Sequence, residues 1–416
     1  MISDILRKKK VYHKCVGCGK EFPHNFLPFC DCGHFIDIQY DLKTVKFNDS
    51  SNPYHRYFDL LPIENPDNLI SVDHKISPTH HSKNLGKKLG LPNLYLKDET
   101  VFPTKTTKDR MAAIALSYLK EVGIKEFCTS STGNSSSAMA HYIKSFPDLR
   151  VYLFAAEDFL DRLNFEENDQ IVVFACKGAT FVEAFAEAGK FAVRKGLTSE
   201  RGFFNPARRE GLKTAFLEAA ESVPKPIDWY VQAVSSAMGV YGVYKGAKEL
   251  MKTGKIKRLP RLLCVQQQTN NPMVRAFEAG SEVIRPQDII KKPYGIAPAI
   301  LRGDPSRVYP YIRKIVLESN GSIKAVTEQE IRDARKLVED LEGLTPCFTA
   351  SVATAGMIRM IKEGLISKKE TILVNLTGGD RPDSAPLKNV HWLERSDKGW
   401  KLADKNDLTG QELWEN

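Results

Sequence analysis

The sequence lacks the features of a secreted or membrane-spanning protein. No stretch approaches the ~20 consecutive apolar residues that cross a bilayer, and residues 1–10 contain no apolar core of a signal peptide. Cysteine is scarce, with 8 in 416 residues, and the pattern is not that of a disulfide framework. Internal repeats and low-complexity tracts are also missing. We therefore expect a soluble cytoplasmic protein.

The chain also lacks the blocks of basic residues that bind nucleic acid. Its 60 Lys and Arg residues are interspersed among 51 acidic ones, although the formal net charge is +9. Part of this excess suits a small anionic ligand, and ordinary solvated charge explains the rest. We expect an anionic small-molecule partner, with neither nucleic acid nor membrane. The length allows two domains with sizeable cores.

The first 48 residues contain a separate pattern of paired cysteines. Each pair is followed by a glycine that permits a tight turn: Cys15 and Cys18 with Gly19, then Cys30 and Cys32 with Gly33. Four thiolates at this spacing suit tetrahedral zinc, so we predict a structural zinc ribbon. The alternative is a ribbon without metal, or one with disulfides if it is oxidised.

Two lysines in a short segment are candidate nucleophiles. A free Lys has a pKa of ~10.4, so a reactive one needs a desolvated or cationic environment. Lys108 precedes the apolar run 111–116 and is followed closely by Arg110. Lys105 would lie near the same face if the segment is helical. Lysines at a helix start are usually solvated surface charges, and this reading competes with both.

Residues 130–136 form a loop rich in hydroxyl groups between a predicted strand at 126–129 and a helical pattern at 138–143. A strand, loop and helix in this order leave amide donors at the helix N-terminus, where anions bind. The simpler interpretation is a turn with an N-cap.

Two further strands end in loops of small residues. Residues 228–234 read as a buried strand followed by the loop 235–239 and a helix through Lys245, and residues 371–376 precede a Thr-Gly-Gly turn. Small residues let backbone N–H groups approach a phosphate. The chain also alternates strands (171–174, 262–265) with helices (181–191, 272–279). This alternation predicts parallel sheets covered on both faces.

The segment at 103–110 resembles the Pro-Thr-Gly-Ser-Phe-Lys-Asp-Arg hallmark of threonine synthase and its relatives in the fold-type-II family of enzymes that use pyridoxal 5'-phosphate (PLP). Pro103, Thr104 and the run Lys-Asp-Arg at 108–110 match in register, whereas residues 105–107 depart from the hallmark. The resemblance assigns the lysine that carries PLP to Lys108. Lys105 stands where the family has glycine, and we expect it to contact an anionic substrate.

The same resemblance implies roles for the remaining loops. It assigns the substrate carboxylate to Ser131, Thr132 and Ser135, the cofactor's phenolic oxygen to Asn134, and its pyridine nitrogen to Thr377. A neutral hydroxyl at that nitrogen favours elimination and replacement over transamination. The cofactor phosphate is assigned to the loop after the strand at 228–234, which comprises Ser235, Ser236, Ala237, Met238 and Gly239. Met238 occupies a position where the family usually has glycine.

Residues 205–214 are similar to the family's Asn-Pro-His-Arg-Leu-Glu-Gly-Gln-Lys-Thr, whose arginine contacts the phosphate of the substrate. Arg208 holds that place, and its planar fork suits phosphate oxygens. Without the resemblance, the pair at 208–209 would read as a solvated surface patch. The family's polar residues upstream are replaced by residues 202–204, and Phe102 replaces its usual asparagine. These departures predict an altered substrate pocket.

The resemblance covers the chain from the N-terminal cysteines to about residue 385. It implies an α/β fold of the fold-type-II, tryptophan synthase β-like class, with two three-layer α/β domains, PLP between them and an N-terminal zinc-ribbon-like segment. We expect the ribbon at 1–48, the large PLP-binding domain at 49–115 and 201–385, and a smaller mobile domain at 116–200. A polar tail at 386–416, with three tryptophans, would pack on the body or on a second subunit. A homodimer is implied.

The implied activity is a PLP-dependent lyase or replacement reaction that releases phosphate from an O-phosphorylated amino acid. The threonine synthase reaction converts O-phosphohomoserine and water into threonine and phosphate. The alternative is β-replacement on O-phosphoserine through an aminoacrylate, as in the cysteate synthase branch, which resembles this chain at 207–211 and 232–236. A third possibility is a catalytically silent relative that binds PLP or an amino acid as a sensor or interaction protein.

Overall fold

The computed structural model describes residues 10–70, 72, 74–382, 386–397, 399–404 and 406–415. The expectation that residues 1–10 form no signal peptide falls almost wholly on residues 1–9, which lie outside this range. In chain order the strands are β1 (Val11–Cys15), β2 (Glu21–Phe22), β3 (Ile36–Tyr40), β4 (Thr79–His81), β5 (Leu94–Asp98), β6 (Glu126–Ser130), β7 (Arg150–Ala156), β8 (Ile171–Cys176), β9 (Thr198–Ser199), β10 (Trp229–Ala233), β11 (Arg261–Gln267), β12 (Ser322–Val326), β13 (Ile372–Leu376), β14 (Val390–Ser396) and β15 (Gly399–Leu402).

The α-helices of the same residues are α1 (Pro53–Arg56), α2 (Lys83–Leu89), α3 (Lys108–Glu121), α4 (Asn134–Ile143), α5 (Phe181–Arg194), α6 (Pro206–Ser222), α7 (Met238–Lys252), α8 (Pro272–Glu278), α9 (Tyr309–Glu318), α10 (Glu328–Glu342), α11 (Phe348–Lys362) and α12 (Leu408–Glu415). Local sequence explains several helix starts. At α6, Asn205 accepts a hydrogen bond from the N–H of Ala207 and Pro206 follows it, a favourable N-cap and first position. None of the described helices combines the length and apolarity needed to cross a membrane.

The strands form a small antiparallel ribbon and two larger sheets. The ribbon has the order β2-β1-β3, and it carries all four N-terminal cysteines in its strands and turns. The first large sheet has the order β12-β11-β10-β13-β5-β4 and the second β15-β14-β8-β7-β6-β9. Both are parallel except at one edge, where β4 and β15 run antiparallel to their neighbours.

Both faces of each large sheet are buried. In β10, Trp229 and Val231 belong to one hydrophobic cluster and Tyr230 belongs to another. In β7, Phe154 and Leu153 likewise belong to clusters on opposite faces. Alternate side chains point to opposite faces of a strand, so helices cover each sheet on both sides. The α/β fold with parallel sheets that the sequence predicted is confirmed, as are the strands and helices that it placed.

The last segment of the chain returns to the second sheet. Strand β14 pairs in parallel with β8, β15 closes the edge, and α12 brings Trp414 against Phe191 with the ring centroids 5.5 Å apart. Trp414 is buried. Strands β14 and β15 thus belong to the sheet that also contains β6 and β7, and α12 packs against it.

Candidate active site

One cavity of about 780 Å³ collects residues from both large sheets. It is lined by the loops that follow β6, β10 and β13, by the segment before α3 and by one face of α5. Such positions at the carboxyl ends of parallel strands commonly bind ligands. Every substrate or cofactor residue predicted from sequence lines this cavity: Lys105, Lys108, Ser131, Thr132, Asn134, Ser135, Arg208, Ser235, Ser236, Ala237, Met238, Gly239 and Thr377.

Lys108 is the first residue of α3 and is half-buried in the cavity wall. Burial lowers the pKa of its ammonium group from 10.5 to about 8, and the positive charge of Arg208 contributes to this decrease. Desolvation disfavours the charged form of a lysine, and a nearby cation acts in the same direction. The amine is therefore far more often neutral, and so nucleophilic, than that of a solvated lysine.

Lys105 is exposed and adopts a left-handed backbone conformation, with φ of 56°. Its carbonyl oxygen accepts a hydrogen bond of 3.0 Å from the N–H of Gly379, and Thr107 N–H donates to the carbonyl of Thr377 at 2.9 Å. A Cβ atom on Gly378 would lie only 2.5 Å from the Lys105 oxygen. These contacts pin the lysine segment to the turn after β13 and bring Thr377 into the same wall.

The loop after β6 is held by its own hydroxyl groups. Ser131 Oγ accepts hydrogen bonds from the N–H of Ser136 at 3.0 Å and of Gly133 at 3.2 Å, and it lies 2.6 Å from Ser136 Oγ. Ser131 thus caps the start of α4. Ser130 Oγ is buried, lines the cavity and has no hydrogen-bond partner within the described ranges. Buried polar groups are normally paired, so this hydroxyl is available to a ligand.

The loop after β10 approaches its neighbours closely at the start of α7. Ala237 has φ of 55°, which turns the chain into the helix. A Cβ on Gly239 would lie 2.6 Å from Gln232 Nε2, so only glycine fits there without displacing that side chain. The first N–H groups of a helix have no partner within it, and here they belong to residues that line the cavity.

Arg208 already has a carboxylate partner. Its guanidinium forms a buried ion pair with Glu200 and donates to Thr129 Oγ1 at 3.2 Å. Glu200 also accepts from Asn205 Nδ2 at 2.8 Å and from the Gly202 N–H at 3.1 Å. Burial raises the pKa of Glu200, and the charge of Arg208 opposes that increase. The charge of Arg208 is thus largely offset before a ligand binds. Sequence reasoning missed Glu200, which belongs to no motif.

The cavity contains further cations that the sequence did not indicate. They come from separate loops: Arg162, Arg201, Arg302, Arg307 and Arg381. Across the part of the chain that the structure describes, none of these five has a carboxylate oxygen within 4.0 Å. Asp380, which also lines the cavity, forms its ion pair with Arg335 instead. The lining acids are Asp161, Asp304 and Asp380. A site with this balance of charge favours an anionic ligand.

The ribbon contacts the cavity wall. Phe203 and Phe204 line the cavity, and their rings pack against Phe35 at 5.7 Å and Phe29 at 4.7 Å, measured between centroids. Phe29 and Phe35 flank the second pair of cysteines. The phenylalanines that replace the family's polar residues thus join the ribbon to the cavity through an aromatic cluster.

The four N-terminal cysteines converge on one point. Their sulfur atoms all lie within 4.8 Å of one another, with Cys15 and Cys32 at 3.4 Å and Cys18 and Cys30 at 3.7 Å. Zn–S bonds of ~2.3 Å place tetrahedral sulfurs ~3.8 Å apart, so this donor set fits zinc. The positive φ of Gly19 and Gly33 allows the tight turns around such an ion.

Comparison with known families identifies the group that this cavity suits. Residues 70–378 match the family model described as "Pyridoxal-phosphate dependent enzyme". The donors present fit PLP, an aldehyde with a phosphate: the amine of Lys108 suits the aldehyde, and the N–H groups at the start of α7 suit the phosphate. The unpaired Ser130 hydroxyl adds a further donor.

Similar proteins agree with this match. The chain is 30% identical to a threonine synthase of Methanocaldococcus jannaschii and 30% identical to a cysteate synthase of Methanosarcina barkeri, in each case over 88% of this chain and 91% of the relative. Among solved structures, the processed form of threonine deaminase isoform 2 from Solanum lycopersicum superposes with a TM-score of 0.61 at 19% identity, covering 81% of this chain and 92% of that one. The chain therefore belongs to the family of pyridoxal-phosphate-dependent enzymes.

Proposed function

We propose that this enzyme releases phosphate from an O-phosphorylated amino acid and replaces it, as threonine synthase does when it converts O-phosphohomoserine and water into threonine and phosphate. The observation that carries the proposal is Lys108, a half-buried lysine whose pKa is lowered to about 8 in a cavity whose lining includes five arginines without a carboxylate partner among the described residues. The relatives named threonine synthase and cysteate synthase support the reaction class.

In this proposal Lys108 would hold PLP through its aldehyde carbon. Asn134 and Thr377 would contact the ring, and the loop Ser235–Gly239 with the N-terminus of α7 would bind the phosphate through backbone N–H groups. PLP, when bound, supplies an electron sink that stabilises negative charge on the α-carbon of an amino acid. The protein supplies binding, orientation and proton transfer.

Lys108 is the group in this site best suited to accept the α-proton of the substrate at its Nζ atom. With a pKa of about 8, about one amine in ten is neutral at pH 7, compared with fewer than about one in a thousand at a pKa of ~10.4. A general base works best when its pKa lies near the working pH. The same Nζ, once protonated, can return a proton to the product.

Departure of phosphate adds negative charge that the cavity can stabilise. Arg208 and the unpaired arginines offer N–H donors in a partly desolvated space, where charge-assisted hydrogen bonds are strong. Thr132 and Ser135 lie half-buried at the start of α4, and in this proposal they would bind the substrate carboxylate. Phe203 and Phe204 limit the water at the Arg208 wall.

A second candidate is β-replacement on O-phosphoserine by a nucleophile other than water. Two observations favour it: the relatives include cysteate synthases at similar identity, and the wall around Arg208 departs from the family pattern at Phe203 and Phe204. In the same wall, Glu200 forms an ion pair with Arg208. A pocket with less free charge at Arg208 and more aromatic surface is expected to prefer a different side chain from that of O-phosphohomoserine.

The experiment that tests the proposal mixes the holoenzyme separately with O-phosphohomoserine and O-phosphoserine while free phosphate is measured. Phosphate and threonine from the first would support the threonine synthase reaction; phosphate only from the second would support β-replacement. Lys108→Ala is expected to abolish release, and Lys105→Ala serves as the matched control that keeps the cofactor. Release of phosphate from neither compound would exclude both reactions.

A further inference from the structure

Arg162 and Arg381 form a pair that the proposed roles of the other residues do not use. Arg162 is the last residue of the 3-10 helix Glu157–Arg162, which lies between β7 and β8 of the second sheet, whereas Arg381 follows β13 of the first. Both side chains are half-buried, and both residues line the cavity. The two halves of the molecule therefore each contribute one guanidinium to the same region.

Hydrogen bonds place this pair beside the start of α4. Arg381 donates from Nη1 to Ser137 Oγ and from Nη2 to the carbonyl oxygen of Arg162, each at 3.1 Å. Arg162 donates from Nη1 to the carbonyl of Pro298 at 3.2 Å. A Cβ on Gly133 would lie 2.8 Å from the Arg162 oxygen, so the backbone of Arg162 touches the loop that precedes α4.

The pair has N–H donors that the described residues leave unused and no carboxylate partner among them, although the Arg162 guanidinium lies 5.6 Å from the centroid of the Phe159 ring. A guanidinium carries five N–H donors, and the recorded hydrogen bonds use one on Arg162 and two on Arg381. All three go to neutral oxygens. Burial and the charge of Arg381 lower the pKa of Arg162 to about 10, and burial also lowers that of Arg381. Two desolvated cations that repel each other would be stabilised by an anion between them.

We propose that Arg162 and Arg381 bind a second oxyanion of the substrate, carried on its side chain, while the α-carboxylate lies on the adjacent loop at 131–135. This inference rests on the proposed function for the identity of the substrate as an amino acid. Arg208 is less suited to that oxyanion because Glu200 already balances its charge. The chemistry recognised is that of a phosphate monoester or a carboxylate, for which paired arginines supply bidentate donors.

The test measures dissociation constants of the holoenzyme by stopped-flow absorbance of the cofactor with O-phospho-L-serine, L-aspartate and L-serine. Arg381→Gln is expected to raise the dissociation constant of the preferred anionic amino acid about tenfold or more, and that of L-serine by less than about threefold. If affinity is lost for O-phospho-L-serine alone, the subsite binds phosphate. If affinity is lost for L-aspartate, the subsite binds a carboxylate. Arg395→Gln removes one charge from an exposed ion pair with Glu183 and is the control.

Equally weaker binding of all three compounds would overturn the proposal, because the arginines would then bind the α-carboxylate or stabilise the fold. Unchanged constants would overturn it as well. If Arg381→Gln does not fold, Arg162→Gln and the charge-keeping Arg381→Lys provide the same comparison. The preference is expected to be lost in the first and only partly kept in the second, because lysine keeps the charge but not the bidentate donors. If the enzyme releases phosphate but its preference for anionic amino acids does not depend on these arginines, the subsite alone is refuted. If the preference depends on the arginines but no phosphate is released, the proposed function alone is refuted.

Discussion

Replacement of Lys108 by methionine is expected to stabilise the cofactor-free protein, although it should abolish activity. The pKa of Lys108 falls from 10.5 to about 8 on folding, mainly through burial. At pH 7 the amine is protonated in both the folded and the unfolded state, so the folded state carries the full unfavourable free energy of that burial. At about 1.4 kcal/mol per pKa unit, the difference corresponds to about 3 kcal/mol.

The sign of the pH dependence follows from the same two pKa values. Between pH 8 and pH 10.5 the unfolded state binds a proton that the folded state has lost, so the stability of the wild-type protein rises with pH in this window. The advantage of Lys108→Met should therefore shrink, from about 3 kcal/mol at pH 7 to about 1.5 kcal/mol at pH 9.5. Methionine keeps a similar length without a charge.

Urea unfolding of the cofactor-free proteins at the two pH values gives the required free energies. Lys105→Met is the matched control, because Lys105 is exposed and lies three positions earlier in the same cavity wall. We expect the control to change stability by less than about 0.5 kcal/mol at either pH. A Lys108→Met protein no more stable than the control at pH 7, or one whose advantage grows with pH, would refute the reasoning.

Three other predictions concern separate parts of the molecule. Glu218→Gln should lower the free energy of unfolding by about 3–5 kcal/mol, because its buried carboxylate pairs with Lys97 and Arg110. Glu221→Gln on the same helix breaks a partly exposed pair with Arg56 and should cost about 1 kcal/mol or less. Comparable urea midpoints for the two variants would contradict this. Wild-type protein should contain about one zinc per chain by atomic absorption, and a Cys30→Ser, Cys32→Ser double variant almost none; equal contents would remove the metal site. Lys105→Gly should raise stability by up to about 1 kcal/mol, since glycine tolerates a φ of 56°, and a clear loss on urea unfolding would argue against strain there.

The predictions that succeeded depended on residues close together in the chain. The strand, loop and helix around 126–143 are specified locally by a buried run, small polar residues and an apolar helical pattern, and the structure confirms their order as β6 and α4. The same applies to the segments that became β10 with α7 and β13. Each motif carries its own turn chemistry, so its position at the end of a parallel strand followed from sequence.

What the sequence could not reveal depends on contacts between distant segments. Arg162 and Arg381 are 219 residues apart, and only the folded chain brings the guanidinium of one to the carbonyl of the other. Glu200 lies eight positions before Arg208, in a stretch without a motif, so its ion pair was not foreseen. Strand β14 pairs with β8 across more than 200 residues, a pairing that the polar and charged composition of residues 386–416 did not indicate.

The attachment of the cofactor to Lys108 is the claim on which the account depends most. Reduction of the holoenzyme with sodium borohydride, followed by digestion and mass spectrometry, would fix the cofactor to the lysine that carries it. We predict a pyridoxyl modification on Lys108 and an unmodified Lys105. Modification of Lys105 in its place, or a holoenzyme in which no lysine is modified, would contradict the account.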